Sequence, residues 1–186
     1  MGKTQVLREL AYHIQHTCED NIGMLFFEEP LEDSARGMMS LSANKPLHLP
    51  TTELKGTEFD DAFNSTLGTD RYHFYESFGS NNIDEVVSAI RYLALGCDCK
   101  YIFLDHISIL VSDQSQGDER KALDEIATKL KTLTIELNIW LGMVSHSKRP
   151  TGKSHEEGGQ TSLAELRGTA GIGQLSNMVL GLERDG

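Results

Sequence analysis

Residues 101–105 read Tyr-Ile-Phe-Leu-Asp and are followed by His106. A strand covered on both faces reads as a continuous apolar run, and this run, closed by a carboxylate, is the clearest buried strand in the chain. Upstream of it, Asn82 can cap a helix that puts Val86, Val87, Ile90, Leu93 and Leu95 on its buried side. Downstream, a polar loop, Ser112 to Gly117, leads into a long helix over about residues 118–137 whose stripe is Leu123, Ile126, Leu130 and Leu133. Residues 139–145 then form a second buried strand. Strand, long helix, strand in succession implies right-handed parallel crossovers. In open sheets of that kind, polar residues at the carboxyl ends of strands face the ligand crevice.

The same alternation extends outward. Residues 22–27 (Ile-Gly-Met-Leu-Phe-Phe) read as a buried strand ending at Glu28-Glu29. Residues 4–18 before it carry Val6, Leu7, Leu10 and Ile14 at helical spacing, and Pro30 after it suits the first turn of a helix running to about residue 42. Residues 44–70 are polar, with Pro46 and Pro50 and room for a short helix near Glu58–Leu67. Residues 71–75 alternate as a strand, and Met178–Leu182 reads as a last strand. The fold class predicted is α/β.

Composition narrows the function classes. The chain has 186 residues, with 17 Lys+Arg against 28 Asp+Glu, a formal net charge of −11. An acidic balance argues against coating nucleic acid by bulk charge, but not against a ring or filament that concentrates a few basic loops on one surface. No apolar run approaches the ~18 residues of a membrane span, and the N-terminus lacks a signal peptide's apolar block. Cys18, Cys97 and Cys99 are odd in number, and Cys97-Asp98-Cys99 is not a metal-knuckle spacing. A reducing cytosol is the natural setting.

Four places carry candidate chemistry. Met1-Gly2-Lys3-Thr4 contains the Gly-Lys-Thr that ends a phosphate loop and opens a helix. There the Lys reaches β/γ-phosphates and the hydroxyl binds Mg²⁺; the alternative is a polar start to a surface helix. Asp105, at a strand end, suits a carboxylate holding Mg²⁺ through water, or one capping a turn. Glu28 suits a general base for an attacking water, or a solvated strand end, with Glu29 pointing elsewhere because successive side chains alternate. His146 closes the third apolar strand, as a structural residue or at the site. In a parallel sheet Glu28, Asp105 and His146 line up on one edge. The loop that follows holds Lys148, Arg149, Lys153 and His155, then Arg167-Gly168, suited to a phosphate backbone or simply solvated.

Together, residues 101–110 (YIFLDHISIL), 118–131 (DERKALDEIATKLK), 143–150 (MVSHSKRP), 155–158 (HEEG) and 165–184 (ELRGTAGIGQLSNMVLGLER) resemble the helicase domain of the phage primase–helicases. These are hexameric ring helicases with a RecA-like P-loop NTPase core, related to bacterial DnaB helicases and mitochondrial Twinkle. The resemblance implies a mainly parallel sheet sandwiched by helices. By position it makes Gly2, Lys3 and Thr4 the end of the Walker A loop, Glu28 the glutamate that polarises water, and Asp105 the Walker B aspartate. His146 falls on the switch that senses the γ-phosphate. Lys148, Lys153, Arg167 and Gly168 fall in loops gripping single-stranded DNA. Gln174 falls in a sensor-like helix, and Arg184 on a residue packing against the base.

The resemblance further implies Mg²⁺ and ATP or dTTP, a homo-hexameric ring, a fused or associated primase, a replisome polymerase, no membrane, and a cytoplasmic location, that of the host if phage-encoded. The family's P-loop glycines and the strand before them lie upstream of Met1, and its arginine finger lies downstream. Residues 1–186 are therefore expected to be a partial helicase domain, with Met1 inside the P-loop and sheet edges left unpaired. The function expected is NTP-driven translocation on single-stranded DNA with duplex unwinding. The alternatives are a RecA-like recombinase or mediator, and a non-catalytic DNA-binding or ring-assembly remnant.

Overall fold

A computed structural model describes residues 2–76, 82–111, 116–145 and 170–182, with the side chains of 116–120 and 170 excepted. Four strands form one parallel sheet: β1 (Asn21–Phe26), β2 (Tyr72–Tyr75), β3 (Cys99–Asp105) and β4 (Trp140–Met143), in the order β2-β1-β3-β4. Among the described residues, six helices connect and cover them: α1 (Lys3–Thr17), α2 (Leu31–Ala43), α3 (Glu58–Asn64), α4 (Ile83–Gly96), α5 (Gln116–Leu137) and α6 (Ala170–Leu175). Short 3₁₀ turns stand at Leu67–Thr69 and Ile107–Val111.

Strand alternation divides the core in two. On one face Ile22, Met24 and Phe26 of β1 and Phe103 of β3 pack with Leu7 and Ala11 of α1 and Met38 of α2. On the other, Leu25, Ile102 and Leu104 pack with Val86, Ile90 and Leu93 of α4, with Leu123, Ile126, Leu130 and Leu133 of α5, and with Ile172 of α6. The result is a sheet with helices on both sides. Gly23 of β1 makes the second face possible, since a Cβ there would lie 3.0 Å from Leu93 Cδ1. Full burial of side chains such as Leu25, Ile102, Leu104 and Leu123 contributes about 1.5–3 kcal/mol each.

Three local expectations need correction. Leu95 is 72% exposed, and Ala89 and Ala94 take the buried positions; a helical step of two from Leu93 turns the side chain to the far face. Pro30 stands one residue earlier than expected, as the N-cap of α2. Residues 178–182 form no strand, and Met178, Leu180 and Leu182 are exposed. An apolar run becomes a strand only beside a ladder partner, and no described strand lies beside this one. Asn82 does cap α4, its side chain accepting from Glu85 N at 2.9 Å. Among the described residues, no helix is long and apolar enough to cross a membrane, and the three cysteines are free thiols.

Candidate nucleotide site

β1 and β3 are neighbours with Phe26 opposite Asp105, so the two strands end at the same edge. The ladder runs one step further, with Phe27 N donating to Asp105 O at 2.8 Å. Alternation along β3 places Asp105 on the face of Phe103, which is the face covered by α1. There the Thr4 hydroxyl, in the first turn of α1, donates to Asp105 Oδ2. Asp105 is 2% exposed. Burial pushes its carboxyl above the ordinary value; the Thr4 hydrogen bond pulls it back, and the neighbouring Glu28 charge raises it again.

Gly2 caps α1 at φ 104°, a left-handed conformation that glycine adopts without a Cβ penalty, and its carbonyl accepts from Val6 N at 3.0 Å. Lys3 follows as the first helical residue, half-buried, with no ion-pair partner among the described residues. A helix N-terminus carries partial positive charge and unpaired N–H groups, which favour an anion. Glu28, two residues past β1, is half-exposed, and its Oε1 lies 2.6 Å from His106 Nε2. The edge therefore holds one buried carboxyl, one solvent-facing carboxyl, a hydroxyl and a lysine at a helix N-terminus.

That arrangement sits in a chain whose residues 1–186 match the DnaB-like helicase C terminal domain. The chain belongs to that family. It is 35% identical over 191 residues to the DNA helicase/primase of Enterobacteria phage T3, across 100% of this chain and 34% of the relative. It is 32% identical over 84 residues to the replicative DNA helicase DnaB of Treponema pallidum (strain Nichols), across 45% of this chain and 18% of that protein. The chain thus spans about a third of the length of the phage relative. Two solved structures share the fold at 12% identity. One is an ATPase domain, which matches with a TM-score of 0.74 over 95% of this chain and 63% of that one. The other is a DnaB-like replicative helicase, studied for its interactions with primase, which matches with 0.75 over 95% and 44%. The RecA-like core expected of the DnaB-like domain is the fold observed.

Within this DnaB-like domain the structure gathers Gly2, Lys3, Thr4, Glu28 and Asp105 at one sheet edge. His146, Lys148, Lys153, Arg167, Gly168 and Arg184 lie outside the described residues. The chain leading to His146 does leave from the same edge, since Val144 N donates to Leu104 O at 3.0 Å and Ile107 N to Val144 O at 3.1 Å. Gln174 is exposed on α6, and α6 packs against the core of α4 and α5, on the opposite face of the sheet from α1. No described contact joins it to Thr4, Glu28 or Asp105.

Two partners escaped the sequence reading. One is His106, next to Asp105 and against Glu28. The other is Arg8, which forms an ion pair with Glu29. The available signal was spacing: Arg8 stands one turn after Thr4 on the same face of α1.

Proposed function

We propose that the domain hydrolyses a nucleoside triphosphate to drive translocation on single-stranded DNA and unwinding of duplex DNA. The observation that carries this reading is the Thr4–Asp105 hydrogen bond, which joins a Gly-Lys-Thr helix N-terminus to the buried carboxyl that closes the central strand. The names of the phage and bacterial relatives support the same direction.

The oxygen-only pair of Thr4 and Asp105 fits a hard cation. Mg²⁺ takes one or two protein oxygens and fills the rest of its shell with phosphate and water. The buried carboxyl, raised by its surroundings, is the group a bound cation would relieve. When bound, Mg²⁺ would neutralise charge developing on the transferred phosphoryl group. Lys3 and the first N–H groups of α1 hold the phosphates. Glu28 accepts a hydrogen bond from the attacking water and fixes its direction. His146 and the segment carrying Lys148, Lys153, Arg167 and Gly168 would link the γ-phosphate to the DNA backbone, and phosphate contacts make that grip independent of sequence. Gln174 and Arg184 are assigned to the nucleotide by resemblance. A homo-hexameric ring, an associated primase and polymerase, ATP or dTTP as fuel, and a host-cytoplasmic setting complete the proposal.

The test is DNA-stimulated NTP hydrolysis and forked-duplex unwinding by the full-length protein and its Lys3→Ala variant. The variant is expected to lose both activities by on the order of 10²–10³-fold, the scale of one preorganised electrostatic group. Unchanged hydrolysis in the variant would remove the site assignment, whereas a wild-type protein that binds DNA without hydrolysing NTP would favour a non-catalytic module. Strand exchange without unwinding would favour a recombinase.

A further inference from the structure

Glu28 is half-exposed and sits beyond the end of β1, outside the ladder that fixes the strand. A carboxylate there needs something else to hold its backbone. The next residue supplies it. Glu29 accepts from the Arg8 guanidinium of α1 through Oε2 and from the Ser34 hydroxyl of α2 through Oε1, the latter at 2.6 Å. Arg8 and Glu29 are both mostly enclosed, at 14% and 19% side-chain exposure, and Ser34 is 2% exposed. Glu29 is thus tied to two helices by both of its oxygens, while Glu28 turns to His106.

The guanidinium has little freedom. The Arg8 side chain fills the space beside Gly37 of α2: a Cβ at that position would fall 2.7 Å from Arg8 Cζ and 2.8 Å from Arg8 Cδ. Arg8 Nε is buried with no hydrogen-bond partner among the described residues. The ion pair is therefore shaped by the missing side chain of Gly37 as well as by charge. Arg8 also shares a helix face with Thr4, one turn apart, so a single rigid helix carries both the hydroxyl against Asp105 and the clamp on the Glu28–Glu29 segment.

We propose that Arg8 is a positioning residue: through Glu29 and Ser34 it fixes the Glu28 carboxylate relative to the phosphate-binding end of α1. The inference rests on the reading of Glu28 as the residue that orients the attacking water. Misplacing a group by about 1 Å costs on the order of 10²-fold in rate, so loss of the clamp lowers kcat while leaving nucleotide affinity in place. A residue acting only on stability would lower the fraction folded instead.

The experiment measures kcat and KM for NTP hydrolysis per folded site in the full-length protein, for Arg8→Gln, Arg8→Lys, Gly37→Ala, Glu28→Gln and the Arg8→Gln/Glu28→Gln double variant. Arg8→Gln is expected to lower kcat by on the order of tenfold to 10²-fold, with KM within about twofold. Arg8→Lys keeps the charge but not the planar fork, and falls between. Gly37→Ala displaces the guanidinium without removing it, and Ala is the better helix former, so α2 itself is not weakened by propensity, and turnover per folded site separates the displacement from any loss of stability. Added to Glu28→Gln, Arg8→Gln costs nothing further, because the group it positions is gone. Should Arg8→Gln fail to fold, Arg8→Lys and Gly37→Ala decide. Full kcat in Arg8→Gln or Gly37→Ala beside a crippled Glu28→Gln would overturn the role of Arg8 and leave Glu28 standing. Additive losses in the double variant would overturn it too. Full kcat in Glu28→Gln would instead remove the reading of Glu28 itself, and the inference with it.

Discussion

The two ends of α1 are built from similar polar material and treat it in opposite ways. At the C-terminal end, the Arg71 guanidinium donates to the carbonyls of Gln15, Cys18 and Asp20 at 2.7, 2.6 and 2.6 Å. Buried Gln15 accepts from the Tyr72 hydroxyl at 2.7 Å and donates to Ser65 O at 3.0 Å and Thr69 Oγ1 at 3.2 Å. A cation there meets the negative end of the helix dipole and its unpaired carbonyls. Burial also holds the Tyr72 hydroxyl in its protonated, donating form by raising its pKa. At the N-terminal end, Asp105 is buried beside the charge of Glu28 with the Thr4 hydroxyl against it, and Lys3 has no described ion pair. At one end the chain's own Arg71 meets the free carbonyls and serves the fold. The other is left acidic and under-compensated, and suits a ligand.

The largest effect expected from that contrast is at Asp105. Asp105→Asn should lower NTP hydrolysis by on the order of 10²–10³-fold, the scale of losing one preorganised electrostatic group. It should also raise the Tm of the protein measured without nucleotide or Mg²⁺ at pH 7. The sign follows from the raised pKa: the stability contributed by protonated Asp105 is fully present below its unfolded value near ~3.9 and is lost as pH rises through the higher folded value. At neutral pH that contribution is lost or outweighed by the ionisation gained on unfolding, so the carboxyl burdens the fold and a neutral isostere relieves it. A lowered Tm would show that this end is as well satisfied as the other.

Arg71→Met should do the reverse. Three charge-assisted hydrogen bonds to carbonyls are lost, so urea unfolding should show roughly 2–4 kcal/mol less stability, with kcat per folded site unchanged. A fall in kcat would break the division of labour between the two ends. The smallest effect belongs to Tyr72→Phe, which strands one buried acceptor on Gln15 and should cost about 1 kcal/mol in the same unfolding measurement.

Much of this contrast was hidden in the sequence, for a physical reason. Apolar runs and stripes report burial directly, so β1, β3 and the Leu123–Leu133 face of α5 were legible from residue types alone. The edge that gathers Glu28 and Asp105 followed from parallel topology, because strands of one direction end on one side. Side-chain pairs do not announce themselves in this way. Arg8 and Glu29 are 21 positions apart, and Gln15 and Tyr72 are 57 apart, so neither pair leaves a periodic trace. Strand alternation suggested that Glu29 would turn away from Glu28, and it does, towards Arg8 and Ser34. It could not name the partners, since the chain has already left β1 at Phe26 and bends. Met178–Leu182 misled because an apolar segment looks like a strand whether or not a neighbour exists to pair with it.

We propose that the edge at the N-terminus of α1 hydrolyses the nucleotide, with Glu28 aiming the water. The most direct test is the turnover of Glu28→Gln at saturating nucleotide and Mg²⁺, alongside the binding of a fluorescent nucleotide analogue. Binding is expected to be retained, with hydrolysis reduced by about 10²–10⁴-fold, the range for losing a positioned base. Wild-type turnover in that variant would contradict it.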